Sequence, residues 1–114
     1  MDEIVKKSEI KVNIGLNENK LPLEMKWTAS DGNIVDQEAK AMFLSLWDSN
    51  EKNTMKIDLW TKDLTVDEMK QFFHQTLLTM ADTFENATGE KNICEDLRDY
   101  CYHFADKMNI LPQD

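Results

Sequence analysis

The chain has 114 residues, of which 41% are hydrophobic, and its formal net charge is −9. A chain of this length buries about two-thirds of its unfolded surface without help from a metal or a disulfide, so we expect a single domain over residues 1–114. The acidic balance, with Arg98 as the single arginine, excludes binding through nucleic-acid phosphates and disfavours an anionic membrane surface.

No stretch of about 20 apolar residues is present, and the first residues carry no apolar signal segment. We therefore expect a cytoplasmic protein with no transmembrane segment. Cys94 and Cys101 agree with this compartment. They are spaced about 10 Å apart along one predicted helix, which is too far for a disulfide.

Alternating apolar and polar residues predict four strands, at residues 10–16, 25–29, 40–47 and 54–61. Residues 30–33 form a predicted turn, and the segment up to residue 38 reads as an irregular connection. Because the connections are short and polar, we expect one four-stranded antiparallel meander over about residues 8–62.

Two amphipathic helices follow, at about residues 66–87 and 93–109. Thr65 and Glu68 form a capping box that specifies the first helix start, and Gly89 suits its end. Asn92 is the predicted N-cap of the second helix, whose apolar stripe extends to Leu111. The order of strands and helices predicts an α+β fold in two layers, with both helices on one face of the sheet.

The face of the sheet away from the helices carries the strongest candidate site. If the loop between the last two strands has an even number of residues, Met42, Leu44 and Leu46 share the covered face with Met55, Ile57 and Leu59. Exposed aromatic residues on a sheet often mark an interface. The opposite face then holds a candidate partner surface made of Phe43, Trp47, Lys56, Asp58 and Trp60.

Two alternatives to this surface stay open at the level of the sequence. An odd loop would turn Phe43 and Trp47 inward, beside Ile57 and Leu59. A loop or the N-terminal arm could also cover these aromatic side chains.

No residue pattern predicts catalysis, a cofactor or a metal site. His74 and His103 have no accompanying nucleophile motif, and both suit ordinary surface or boundary positions. Cys94, Cys101 and His103 are too few and wrongly spaced for zinc. We expect no enzymatic activity, no cofactor and no bound metal.

Several runs resemble the family of the gliding-motility-associated protein GldC of gliding bacteria. The resemblance covers most of the chain and is carried by residues 8–11, 38–41, 47–49, 56–63, 66–70, 72–77 and 80–84. It implies an accessory role in surface gliding, in machinery that is coupled to protein secretion. It implies no catalytic residue, ligand or cofactor.

Two functions of different classes follow. The first is a non-enzymatic interaction module that binds another component of the gliding or secretion machinery, with self-association as a second use of the same surface. The second is a small-ligand-binding or enzymatic domain with a pocket between helices and sheet. Its support is a set of methionines expected to point inward: Met25, Met42, Met55, Met69 and Met80.

Overall fold

A computed structural model describes residues 2–110 and has an α+β fold with five strands and two helices. The elements follow one another along the chain as β1 (Ile10–Leu16), β2 (Pro22–Ala29), β3 (Ile34–Ala39), β4 (Ala41–Asp48), β5 (Asn53–Trp60), α1 (Val66–Thr88) and α2 (Lys91–Lys107). The chain clusters into two compact units, a strand unit up to Leu64 and a helical unit from Thr65.

The strands form two antiparallel sheets, which corrects the predicted single four-stranded meander. One sheet has the order β1-β2-β3, and the other is the β4-β5 hairpin. The difference arises from β3, where the sequence indicated an irregular connection. Its run Ile-Val-Asp-Gln-Glu-Ala has no apolar alternation. Pairing of its backbone with β2 makes it a strand, from Ala39 opposite Met25 to Ile34 opposite Ala29.

Strand β2 is central in its sheet and begins at Pro22, three residues earlier than predicted. A proline at the first position of a strand removes no ladder hydrogen bond from the interior. The β2–β3 register shifts between Trp27 and Ala29. Asp36, with a φ of 48°, donates its N–H to Thr28 Oγ1 there, at 3.1 Å.

The β4-β5 hairpin has the even loop that defines the candidate surface. Asp48 lies opposite Asn53, and four residues connect them. The loop is closed by the Lys52 N–H, which donates to Asp48 O at 2.9 Å, and by the Glu51 N–H, which donates to the Asp48 carboxylate at 2.6 Å. Lys52 takes a positive φ of 54°. The register therefore follows from a tight polar loop that local residues stabilise.

Helix α1 confirms the predicted capping box. The Thr65 side chain accepts from the Glu68 N–H at 3.1 Å, and the Thr65 N–H donates to Glu68 Oε1 at 3.0 Å. Gly89 ends the helix in the left-handed region at φ 75°, with its N–H bonded to Glu85 O. A glycine adopts this conformation without the steric cost of a Cβ.

Helix α2 begins at Lys91, so the predicted N-cap at Asn92 is wrong. Glu90 is the N-cap, and its side chain makes no capping hydrogen bond. After the left-handed turn at Gly89, the helix begins one residue before Asn92. The predicted continuation of the apolar stripe to Leu111 lies outside the described residues.

Each unit has a small buried interior. In the strand unit Met25 and Thr61 are buried, and in the helical unit Ala81, Cys94 and Cys101 are buried. Both cysteines are free thiols, as their spacing predicted, and burial raises the pKa of Cys101. The small residues on α1 and α2 allow close approach of the two helices.

A double ion pair also joins the two helices. Arg98 of α2 donates to Asp82 at 2.8 Å and to Glu85 at 2.9 Å, both on α1. The hydrogen bonds to Asp82 and then to Glu85 raise the pKa of the guanidinium above its ordinary value.

Several residues expected in the interior are exposed. On the hairpin, the exposed fractions are 37% for Leu44, 58% for Leu46, 57% for Met55 and 52% for Ile57. We name these four residues the apolar face. Met80 of α1 is also 56% exposed, so Met55 and Met80 do not form the inward methionine set that the sequence suggested.

Candidate partner-binding surface

The five candidate residues lie on one face of the β4-β5 hairpin, which we name the aromatic face. Phe43 is opposite Asp58, Ser45 is opposite Lys56, Trp47 is opposite Thr54 and Ala41 is opposite Trp60. Directly opposed residues in an antiparallel pair point to the same side of the sheet. The even register thus brings Phe43, Trp47, Lys56, Asp58 and Trp60 to one side of the hairpin.

The two tryptophans are the most exposed aromatic residues of this face. Trp47 is 68% exposed and Trp60 is 54% exposed, whereas Phe43 is partly buried. Thr54, the partner of Trp47, lies six residues before Trp60 on β5, so the tryptophans are separated by about 20 Å along the strand. Phe43, Asp58 and Trp60 form one end of the face, and Trp47 lies at the other end.

A charged pair occupies the middle of the aromatic face. Lys56 Nζ lies 3.0 Å from the Asp58 carboxylate. The Lys56 side chain is 58% exposed and that of Asp58 is 33% exposed, so the pair is screened by solvent and contributes little to stability. Its two charges remain available to a binding partner.

A small cavity adjoins Trp60, and no pattern in the sequence indicates it. It has a volume of about 350 Å³ and is lined by Leu21, Pro22, Asp58, Leu59, Trp60 and Lys62. Lys62 donates its N–H to Pro22 O at 2.9 Å, which holds the start of β2 beside the end of β5. The cavity is formed by residues about 40 positions apart, and local patterns carry no signal for such a contact.

The end of β5 is fixed by a buried polar residue. Thr61 is 2% exposed and donates its N–H to Lys40 O at 2.8 Å and its hydroxyl to Asp63 at 2.6 Å. That hydroxyl, followed by the nearby Lys40 cation, lowers the pKa of the Asp63 carboxyl below its ordinary value. These bonds hold Trp60 in a defined position next to the cavity.

The helical unit has a second concave region, a groove of about 1040 Å³ between α1 and α2. His74, Gln75, Leu78, Tyr102 and Asp106 are among its lining residues. The His74 ring stacks on Phe104 at 6.2 Å, and within residues 2–110 its buried Nε2 has no hydrogen-bond partner. His74 is half-buried, as the ordinary surface or boundary position expected from the sequence allows, but its unpaired nitrogen was not expected.

Metal-ligating side chains do not cluster in the described part of the chain. Residues 2–110 hold no group of three or more histidine, cysteine or acidic side chains placed to bind a metal ion. His103 lies on the exposed side of α2, 5.9 Å from the Tyr100 ring. The expectation that the protein is not an enzyme stays a prediction.

No helix within residues 2–110 is long and apolar enough to cross a membrane.

These features define an α+β protein with an aromatic-bearing hairpin in one unit and a helix pair in the other. Residues 22–110 match the family described as gliding motility-associated protein GldC-like. The match covers more than half of the chain, and the chain therefore belongs to the GldC-like family. No curated protein and no solved structure showed a match.

Proposed function

We propose that the protein is a non-enzymatic accessory component of gliding motility that binds another protein of the motility or secretion machinery through the aromatic face. Family membership supports the motility setting. The observation that carries the binding role is the exposure of Trp47 and Trp60 on one face of a single hairpin. Tryptophan is among the residues that dominate protein interfaces, because its large ring gives up much water-exposed surface on binding.

The cavity beside Trp60 supports one mode of recognition. Leu21, Pro22 and Leu59 contribute apolar groups, and Asp58 and Lys62 supply one charge of each sign at the border. An apolar side chain of the partner would enter this cavity and pack against the Trp60 ring. Interface energy is concentrated where such an anchor fills a pocket.

The test is co-purification from gliding cells with tagged wild type, Trp60→Ser and Trp47→Ser, read by mass spectrometry. We expect a partner that wild type retains and that Trp60→Ser loses by at least tenfold. The matched control is Met55→Ser, which removes a side chain of similar exposure from the opposite face of β5 and should leave the partner bound.

Thermal melting of the purified variants separates binding from folding. Since Trp60 is about half exposed, Trp60→Ser should lower the free energy of unfolding by about 1 kcal/mol or less. A cost of several kcal/mol would show that Trp60 is a core residue. Equal loss of the partner in Trp60→Ser and Met55→Ser would remove the aromatic face from the proposal.

The groove of the helical unit favours a second candidate function, the binding of a small ligand. The specific observation is the buried His74 Nε2, which could donate to or accept from a polar ligand group. We expect a binder of this kind to shift the ring resonances of His74 in an NMR ligand screen. His74→Phe should keep the stacking on Phe104 and abolish binding, which is read in both proteins from the backbone amide resonances of Gln75 and Leu78 in the groove. A screen without any hit at the groove would exclude this candidate.

A further inference from the structure

The outer edge of β5 is an unpaired strand edge with a defined pattern of charges. Within residues 2–110, β5 pairs with β4 alone in a two-stranded sheet. A two-stranded hairpin is at best marginally stable on its own, and an open edge offers its backbone N–H and C=O groups to another strand.

The hydrogen bonds of the hairpin show which residues of β5 present these groups outward. Thr61 donates its N–H to Lys40 O, and this pair continues the β4–β5 register by one step beyond Ala41 and Trp60. Hydrogen-bonded pairs alternate along an antiparallel ladder. The residues of β5 whose backbone N–H and C=O groups point to the outer edge are therefore Thr54, Lys56, Asp58 and Trp60.

Lys62 gives an independent check of this alternation. As the next even-numbered residue it should also face outward, and its N–H indeed bonds Pro22 O on that side at 2.9 Å. Before this contact, Asp58 and Trp60 border the cavity of about 350 Å³, which Leu21 and Pro22 also line. Within the described residues, no strand is paired with this edge of β5.

We propose that two copies of this chain pair through the outer edges of β5, antiparallel, about a two-fold axis at Ile57. In this register Lys56 lies opposite Asp58 of the second copy, and Asp58 lies opposite its Lys56. The backbone groups of both residues point to the outer edge, and their side chains lie on the same face of the sheet. Two hydrogen-bonded pairs of residues with opposite charges therefore form. The pairing creates a four-stranded sheet in the order β4-β5-β5-β4.

The charges select this register over its neighbours. Shifting the axis to residue 56 would oppose two lysines, and shifting it to residue 58 would oppose two aspartates. Opposite charges directly across a pair stabilise a sheet, and like charges destabilise it.

The same register also extends both faces of the hairpin. On the apolar face, Ile57 meets Ile57 of the second copy, and Met55 meets its Leu59. On the aromatic face, Trp60 lies opposite Thr54 of the second copy, which in turn is the partner of Trp47 in its own hairpin. Each copy thereby gains apolar contacts for residues that are more than half exposed in the single chain.

The test is the mass of the purified full-length chain by light scattering and sedimentation, over a concentration series. We expect wild type to be a dimer. Lys56→Asp and Asp58→Lys should each raise the dimer dissociation constant at least tenfold, because each places like charges opposite one another twice.

Complementation is the decisive part of the experiment. An equimolar mixture of the two single variants should form a heterodimer, and the double variant Lys56→Asp/Asp58→Lys should dimerise as wild type does. Circular dichroism would verify folding, and recovery in the mixture would itself exclude misfolding of the single variants.

The matched control is Lys26→Asp. Lys26 makes a similar ion pair with Glu24 two residues away, at 3.0 Å, but on the central strand β2. Its replacement should leave the mass unchanged. A monomeric wild type, dimeric single variants or a mixture that stays monomeric would each overturn the proposal. This readout uses the isolated chain, so it is independent of the partner-capture experiment.

Discussion

At the scale of single residues, Arg98 shows how one side chain can join two elements. Its guanidinium bonds Asp82 and Glu85, which lie nearly one turn apart on α1. The planar group can serve two carboxylates at once, which an ammonium does less well. Arg98 is 27% exposed and Glu85 is 29% exposed, so the second ion pair is shielded more than an ordinary surface pair.

We expect Arg98→Met to lower the free energy of unfolding by about 1 kcal/mol, because both ion pairs disappear while the aliphatic stem is largely retained. Urea unfolding measures this difference in the free energy of unfolding. The difference should be smaller in high salt, because salt screens the ion pairs. A double-mutant cycle with Glu85→Gln should give a coupling of about 0.5 kcal/mol. Zero coupling would mean that Arg98 acts through packing alone.

At the scale of elements, the sequence predicts structure well where the specifying residues are neighbours. Helix α1 was predicted to within a residue, because Thr65, Glu68 and Gly89 act over three to four positions. The assignment of residues to the two hairpin faces was conditional on an even loop, and the four-residue loop between Asp48 and Asn53 meets that condition.

Prediction failed where the element has no apolar alternation of its own, or where residues far apart in the sequence meet. Strand β3 has no pattern of its own, and its strand conformation comes from pairing with β2 around the bulge at Asp36. The cavity beside Trp60 was missed because it needs Leu21 and Pro22 to meet the end of β5.

The capping box gives a prediction for α1. We expect Thr65→Ala to cost about 1 kcal/mol, since the Glu68 N–H loses its acceptor while the rest of the helix is unchanged. Chemical denaturation with circular dichroism measures this cost. Thr79→Ala is the matched control on the same helix: its hydroxyl bonds back to Thr76 O, and alanine has the higher helix propensity, so the change should be neutral or slightly stabilising. Equal effects would contradict a capping role.

At the scale of the whole molecule, the expectation of a single domain stays a prediction, as does the packing of both helices on one face of a sheet. Contact clustering describes a strand unit and a helical unit. If the 114 residues form one domain, the two units should unfold together.

Differential scanning calorimetry tests this cooperativity. We expect one transition, with a calorimetric enthalpy of about 80 kcal/mol that equals the van't Hoff enthalpy. Two resolved transitions, or a van't Hoff value well below the calorimetric one for a monomeric sample, would indicate two units that unfold separately.

The burial of Cys94 and Cys101 has a practical consequence for all of these experiments. Both thiols are shielded from solvent, and burial makes Cys101 harder to ionise by raising its pKa. Thiol-directed dyes and spin labels react with accessible thiolates, so the native chain should be nearly inert to them. A cysteine introduced at the exposed Ser45 could then be labelled selectively. In the proposed four-stranded sheet, the Ser45 positions of two copies would lie about three strand spacings apart, roughly 15 Å, which is within the range of spin-label spectroscopy.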